Sequence, residues 1–299
     1  MRYSWIIIAL FSAFFTSLRH IHIKNKCSGH SSEIVIFVTR LAGVVALFPF
    51  ALAKGFTIIQ LSTFAFVTAL TVVITAFATI IQIALLQQKD ISRSIPYLSF
   101  IPIFMVPWSV ALLGEMPSDI ALLGIVITCL GAYIINVGEH TGILGPLKSI
   151  VSNKASLLML VVAFCLAFNT VCDKIAITAA SAFTYIYIWS VSSTVVMGLI
   201  SLTRNSVHSI KIALTDKHVV VQALYWVSGY SCQIFAIGAA VGIQSGTTYV
   251  RALTLLNVLF TVIFGGALFR EENLIRKSLA TLMMVGGSVL IIISAGSFH

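Results

Sequence analysis

Ten stretches of this 299-residue chain run apolar for about 20 residues each: 3–22, 32–53, 63–88, 94–113, 118–137, 155–173, 180–202, 217–241, 246–269 and 273–295. At 1.5 Å rise per residue, a helix of that length crosses a hydrocarbon core of about 30 Å. Within lipid a backbone must satisfy its own hydrogen bonds, so continuous runs of this kind dictate helices. A closed barrel would instead alternate polar and apolar residues in segments of roughly ten. The predicted fold class is therefore an all-α integral membrane protein with ten transmembrane helices.

The balance of side chains agrees. Apolar residues make up 59% of the chain, charged residues only 9%, and mean hydropathy is +1.05. Soluble domains are nearer a quarter charged, so this exterior must face lipid. The opening "MRYSWIIIALFSAFFTSLRH" has the charge and apolar run of a signal peptide. It lacks a clear small-x-small cleavage site, and further spans follow, so it reads as the first helix.

The net charge of +9 is spread over short loops and forms no nucleic-acid-binding stripe. It sorts by side instead. Loops after odd-numbered spans hold thirteen Lys and Arg residues; the other side holds three, Arg2, Lys54 and Lys174. That bias predicts odd loops in the cytoplasm and both termini outside, in a cell (inner or plasma) membrane. The five cysteines form no C-x-x-C pair, and the histidines of "RHIHIKNKCSGH" lack a completing acidic or cysteine set. No metal or other cofactor is expected.

The chain also carries a pattern twice. "ALLGEMPSDIALLGIVITCLGAYIIN" (111–136) aligns at an offset of 156 with "ALFREENLIRKSLATLMMVGGSVLII" (267–292), sharing Glu115/Glu271 and Gly131/Gly287 among six identities. Each acid stands at a helix–helix corner, and each glycine follows sixteen residues later. Two units of five helices each place the second unit in the membrane upside down. Such inverted repeats belong to secondary transporters, whose substrate sites lie between repeats near the midplane. The expected division is 1–140 and 155–299, joined by a loop at 141–154.

"IPYLSFIPIFMVPWSVALLGEMPSDIALLGIVITCLGAYIINVG" resembles the end of the first EamA-type domain of the drug/metabolite transporter superfamily. "FNTVCDKIAITAASAFTYIYIW" resembles the start of the second domain. The resemblance implies ten helices as two inverted EamA-like repeats, a central cavity, and export or exchange of small metabolites. Two departures stand out. The second corner reads "FREENL" where the first reads "LGEMPS", and the ninth span lacks the prolines of the fourth.

Polar groups inside spans are costly unless paired or wet, so they are the candidates for transport. Arg40 lies about 12 Å below the start of its helix, either contacting substrate or snorkelling. Its rigid fork of donors suits a carboxylate or phosphate. Arg251 is shallower and reads as a snorkelling side chain. Asp173 and Lys174 read as a local ion pair closing the sixth span, which leaves every acidic residue in a loop or at a span edge. Pro96, Pro102 and Pro107 would bend the fourth helix beside a cavity, with Tyr97 and Ser99 on its wall. Tyr185, Tyr187, Trp189, Trp226 and Tyr230 offer faces for stacking or anchor the interface. Gln233 and Asn257 could bond a substrate or a neighbouring helix. Gly124, Gly131, Gly238, Gly242 and Gly287 suit close helix packing.

These features point to a secondary transporter of small polar or amphipathic metabolites: exporter, uniporter or exchanger, by alternating access. The alternatives are a membrane enzyme or a scaffold. No H-E-x-x-H, G-x-S-x-G or P-loop motif supports catalysis. The expected partners are a small-molecule metabolite and the lipid bilayer, the chain acting as monomer or homodimer.

Overall fold

A computed structural model of the chain describes residues 4–26, 29–86, 95–136, 154–260 and 274–297. All regular structure among these residues is helical. The helices are α1 (Ser4–Lys26), α2 (Ser32–Lys54), α3 (Leu61–Leu86), α4 (Ile101–Leu113), α5 (Asp119–Asn136), α6 (Lys154–Ala179), α7 (Ala182–Arg204), α8 (Val207–Thr215), α9 (Lys217–Ala239), α10 (Gly246–Thr254) and α11 (Leu274–Ser297). A 3-10 segment, Ile95–Phe100, leads into α4. Six of these helices, α1, α2, α3, α6, α7 and α9, are long and apolar enough to cross a membrane. Shorter apolar stretches run through α4, α5 and α11. Leu52, Phe66 and Leu282 are about 70% exposed, as lipid-facing side chains must be.

Local chemistry sets the helix ends. Ser181 accepts a hydrogen bond from the Thr184 N–H (3.2 Å) and starts α7; Asp216 accepts one from the His218 N–H (2.8 Å) and starts α9. Gly114 adopts φ +65° after α4, a left-handed turn that suits glycine and sharply redirects the chain into the Glu115 corner.

Three boundaries differ from the sequence reading. Helix α6 continues six residues past Asp173, to Ala179. The expected 246–269 span is interrupted: α10 ends at Thr254, Leu255 and Leu256 form a turn, and helix resumes at 257–260. Between α7 and α9 the chain forms the short surface helix α8, where a loop was expected. Ser206 caps it by accepting from the Ser209 N–H (3.2 Å).

The main helix pairs are α5 with α11, α1 with α9, α3 with α6, and α2 with α7. Small residues let them close. A Cβ on Gly131 would lie 2.7 Å from the Ala280 carbonyl oxygen, and one on Gly124 2.6 Å from that of Gly287. These three glycines and Gly238, which faces Ala182, sit at close approaches. Gly242 has nothing within 4 Å of the corresponding position, so close packing does not explain it.

Candidate functional site

A polar and aromatic column runs through the bundle where α2, α3, α6, α7, α9 and α10 converge. Helical spacing builds two of its walls. On α7, Tyr185 and Trp189 stand four residues apart; on α9, Trp226, Tyr230 and Gln233 follow at four and three. Residues at those intervals share one helix face.

Arg40 of α2 occupies the middle of the column and is only 3% exposed. Its guanidinium lies against two indoles, 4.7 Å from the Trp189 ring centroid and 4.0 Å from that of Trp226. Tyr230 stacks on Trp226 at 4.8 Å and meets Trp189 at a tilt, 4.9 Å away. Nε and Nη1 of Arg40 are buried without a hydrogen-bond partner among the described residues. Cation–π attraction to the two indoles holds the guanidinium, and these in-plane donors remain open.

Nearer one end of the column the polar groups are knit together. Asp173 is 1% exposed and accepts hydrogen bonds from the Tyr185 hydroxyl (2.5 Å) and the Asn169 amide (3.3 Å). The Tyr185 hydroxyl lies 3.4 Å from Thr71 Oγ1, and Thr75 donates to Asn169 at 3.0 Å. Arg251 donates to Gln233 at 2.8 Å and lies within electrostatic reach of Asp173, while its Nε has no partner among the described residues.

These positions correct three expectations. Asp173 and Lys174 do not pair with each other: Asp173 turns to Tyr185, and Lys174 reaches Glu115 at 2.5 Å. A carboxyl therefore does lie inside a span. The signal was present in "IAITAAS", where apolar residues continue past the charged pair until Ser181. Arg251 turns inward to Gln233 rather than outward, because a buried acceptor is in reach.

The Glu115 corner forms a second cluster. Besides Lys174, Glu115 accepts from the backbone N–H of Ser245 (3.2 Å), which holds φ 58°, and Gln244 donates to the Met116 carbonyl (3.2 Å). Ser109 bonds Thr248 at 3.2 Å, and Ser118 bonds Ser294. The connection between α2 and α3 is tied to the same end: Ile59 and Gln60 donate to the Ala179 carbonyl at 2.8 and 3.0 Å. Sequence spacing carried no sign of Ser245 or Gln244.

At the opposite, basic end, His30 meets Asp216 at 2.8 Å, Ser31 bonds Asn205 at 2.9 Å, and Arg204 reaches Glu33 at 3.1 Å. The hydrogen bond from His30, then that from the His218 N–H, hold the Asp216 carboxyl below the usual carboxylate range.

The column thus gathers Arg40, Tyr185, Trp189 and Gln233. Tyr97 is instead fully buried among Ala78, Leu85, Met159 and Val162, between α3 and α6. Ser99 is also buried. Asn257 is half-buried just beyond the break after α10. Tyr187 stacks on Phe56 at 5.5 Å, away from the Arg40 cluster. The backbone at Pro96 belongs to the 3-10 segment; Pro102 sits at the second position of α4 and Pro107 inside it. Gly131 and Gly287 lie at the α5–α11 contact. Glu271 lies outside the described residues. Among those residues, no group of three or more His, Cys, Asp or Glu side chains is arranged to hold a metal ion.

Residues 3–137 match the model of the EamA-like transporter family. None of the curated proteins matches the chain. Among solved structures 27 chains match. One, titled only "Crystal structure of protein", aligns 99% of this chain with 100% of its own at 13% identity and a TM-score of 0.71. At that identity the likeness shows the fold alone.

Proposed function

The chain belongs to the EamA-like transporter family, a group of membrane transporters of the drug/metabolite type, and on that premise we propose that it is a secondary carrier. In this reading it moves a small metabolite by alternating access between two inverted units of five spans. The first is residues 1–140 and the second 155–299, with 141–154 as linker.

The observation that carries the proposal is an exchange of packing partners. In the register of the repeat, α1 to α5 correspond to α6, α7, α9, α10 and α11. Helix α1 packs on α9 and α3 on α6, which is one contact seen twice with the units swapped. Helices α2 and α5 each pack on their own counterparts, α7 and α11. The α5–α11 contact repeats this at single residues. At the offset of 156, Gly124 corresponds to Ala280 and Gly131 to Gly287. The Gly124–Gly287 approach and the Gly131–Ala280 approach, at 2.6 and 2.7 Å for the added Cβ, therefore interchange. Contacts that interchange between antiparallel helices support a reading with a two-fold axis across them, and so in the membrane plane.

Two inverted units give a carrier two related conformations with opposite openings. The Glu115–Lys174 pair, with the Ser245 and Gln244 bonds, joins the first unit to the second at one end of the column. We assign this cluster to the outer gate, on the side facing away from the basic loops.

Single cysteines replacing Glu115 and Glu271 test the architecture. An impermeant maleimide should reach them from opposite faces of the membrane; labelling from one face ends the inverted-repeat reading. Saturable counterflow in proteoliposomes tests the carrier itself, and flux at ion-channel rates would exclude it.

A further inference from the structure

The carrier reading places a pathway through the column without saying what passes. Resting on that reading, we propose that the centre of the column binds a small organic anion, holding its carboxylate or phosphate on the in-plane edge of Arg40.

Three observations converge on this. First, Arg40 is almost wholly buried, yet Nε and Nη1 lack partners among the described residues. A guanidinium stripped of water and denied acceptors is among the costliest groups a membrane protein can hold. Second, Trp189 and Trp226 already pack against the cation. Indole faces attract the cation but do not accept its in-plane N–H groups, so those donors stay open in directions fixed by the planar group. N–H donors held in one plane suit the oxygens of a carboxylate or phosphate.

Third, the carboxylates nearby are engaged elsewhere. Asp173 accepts from Tyr185 and Asn169, and Glu115 is held by Lys174 and Ser245. Arg251 adds a second guanidinium whose Nε is also without a partner among the described residues. Arg40 is buried and Arg251 half-buried, Arg19 lies within electrostatic reach of Arg40, and Asp173 is the one buried carboxylate among the described residues. A cation entering would deepen that imbalance, and a neutral solute would leave it. An anion removes it and supplies the missing acceptors. Tyr230, stacked on Trp226 and tilted against Trp189, offers an apolar surface for the body of the solute.

The test uses the purified full chain, read by tryptophan fluorescence and melting temperature, with four probes of one ring: benzoate, phenyl phosphate, benzamide and benzylamine. One or both anions should bind at least tenfold more tightly than the amide, and the amine should not bind. The tighter of the two anions identifies the preferred group. Arg40→Lys should weaken the anion at least tenfold, and Arg40→Gln should abolish the preference. Equal binding of amide and anion by the wild-type chain overturns the proposal without any variant. So does an anion preference that survives in Arg40→Gln. Counterflow separates the two levels: anion binding with no flux in proteoliposomes sinks the carrier and leaves the site. Saturable flux with no preference for anions does the reverse.

Discussion

Arg40 and Asp173 are both buried, both charged in water, and both set in the same column, but their surroundings differ in kind. Asp173 has its acceptor capacity met by Tyr185 and Asn169, which are themselves braced by Thr71 and Thr75. Arg40 has two indoles packed against it, with buried donors left open. A satisfied polar network rigidifies a core, whereas open donors in a buried cation leave a place for a ligand's acceptors. Under the anion proposal the difference separates a frame from a site, although burial alone would rank the two residues together.

The contrast can be broken by experiment. The largest expected effect is on transport. Arg40→Gln should lower anion flux at least about tenfold, since a charged hydrogen bond contributes roughly 1.5–3 kcal/mol; unchanged counterflow would strip Arg40 of its role. Next, Asp173→Ala leaves the Tyr185 hydroxyl and Asn169 amide without their acceptor, at about 1–3 kcal/mol for each buried group. Thermal melting in detergent should fall by several degrees, and a fall no larger than that of Arg40→Gln would erase the distinction. Gly131→Leu then separates packing from polarity. Its side chain must displace Ala280 and Met284, costing about 1–3 kcal/mol of stability. The anion preference of the folded fraction should survive, as measured by the fluorescence assay.

The smallest effect belongs to Asp216, a carboxylate with hydrogen-bond donors like Asp173 but standing near water. Its folded value lies below the unfolded one, about 3.9. The stability it adds is therefore complete above that unfolded value and is lost as pH falls through the folded one. Asp216→Asn should flatten that acidic limb of the melting curve and leave neutral pH nearly unchanged.

Much of the architecture was legible in the sequence because lipid imposes length and composition on every span. The reading faltered where a charge ended a run by rule. Asp173 and Lys174 looked like a helix terminus, yet α6 carries both onward because Tyr185, Asn169 and Glu115 receive them. The make-up of the column was legible in part: Arg40, Tyr185, Trp189 and Gln233 were singled out by polarity or aromatic character within spans. Tyr97 was chosen on the same grounds but is packed between α3 and α6. Residue type says what a side chain can do; it does not say which way the helix turns it.

By itself the sequence determined that this chain lives in a membrane as helices, since no other backbone arrangement with these runs satisfies its hydrogen bonds in lipid. Only the tertiary structure decided which polar groups meet. Thr75 finds Asn169 across 94 residues and Ser109 finds Thr248 across 139. Such partners are matched by helix rotation and packing, which depend on the whole bundle at once. The open edge of Arg40 is a product of that matching, because whether a buried charge is paired depends on everything that surrounds it.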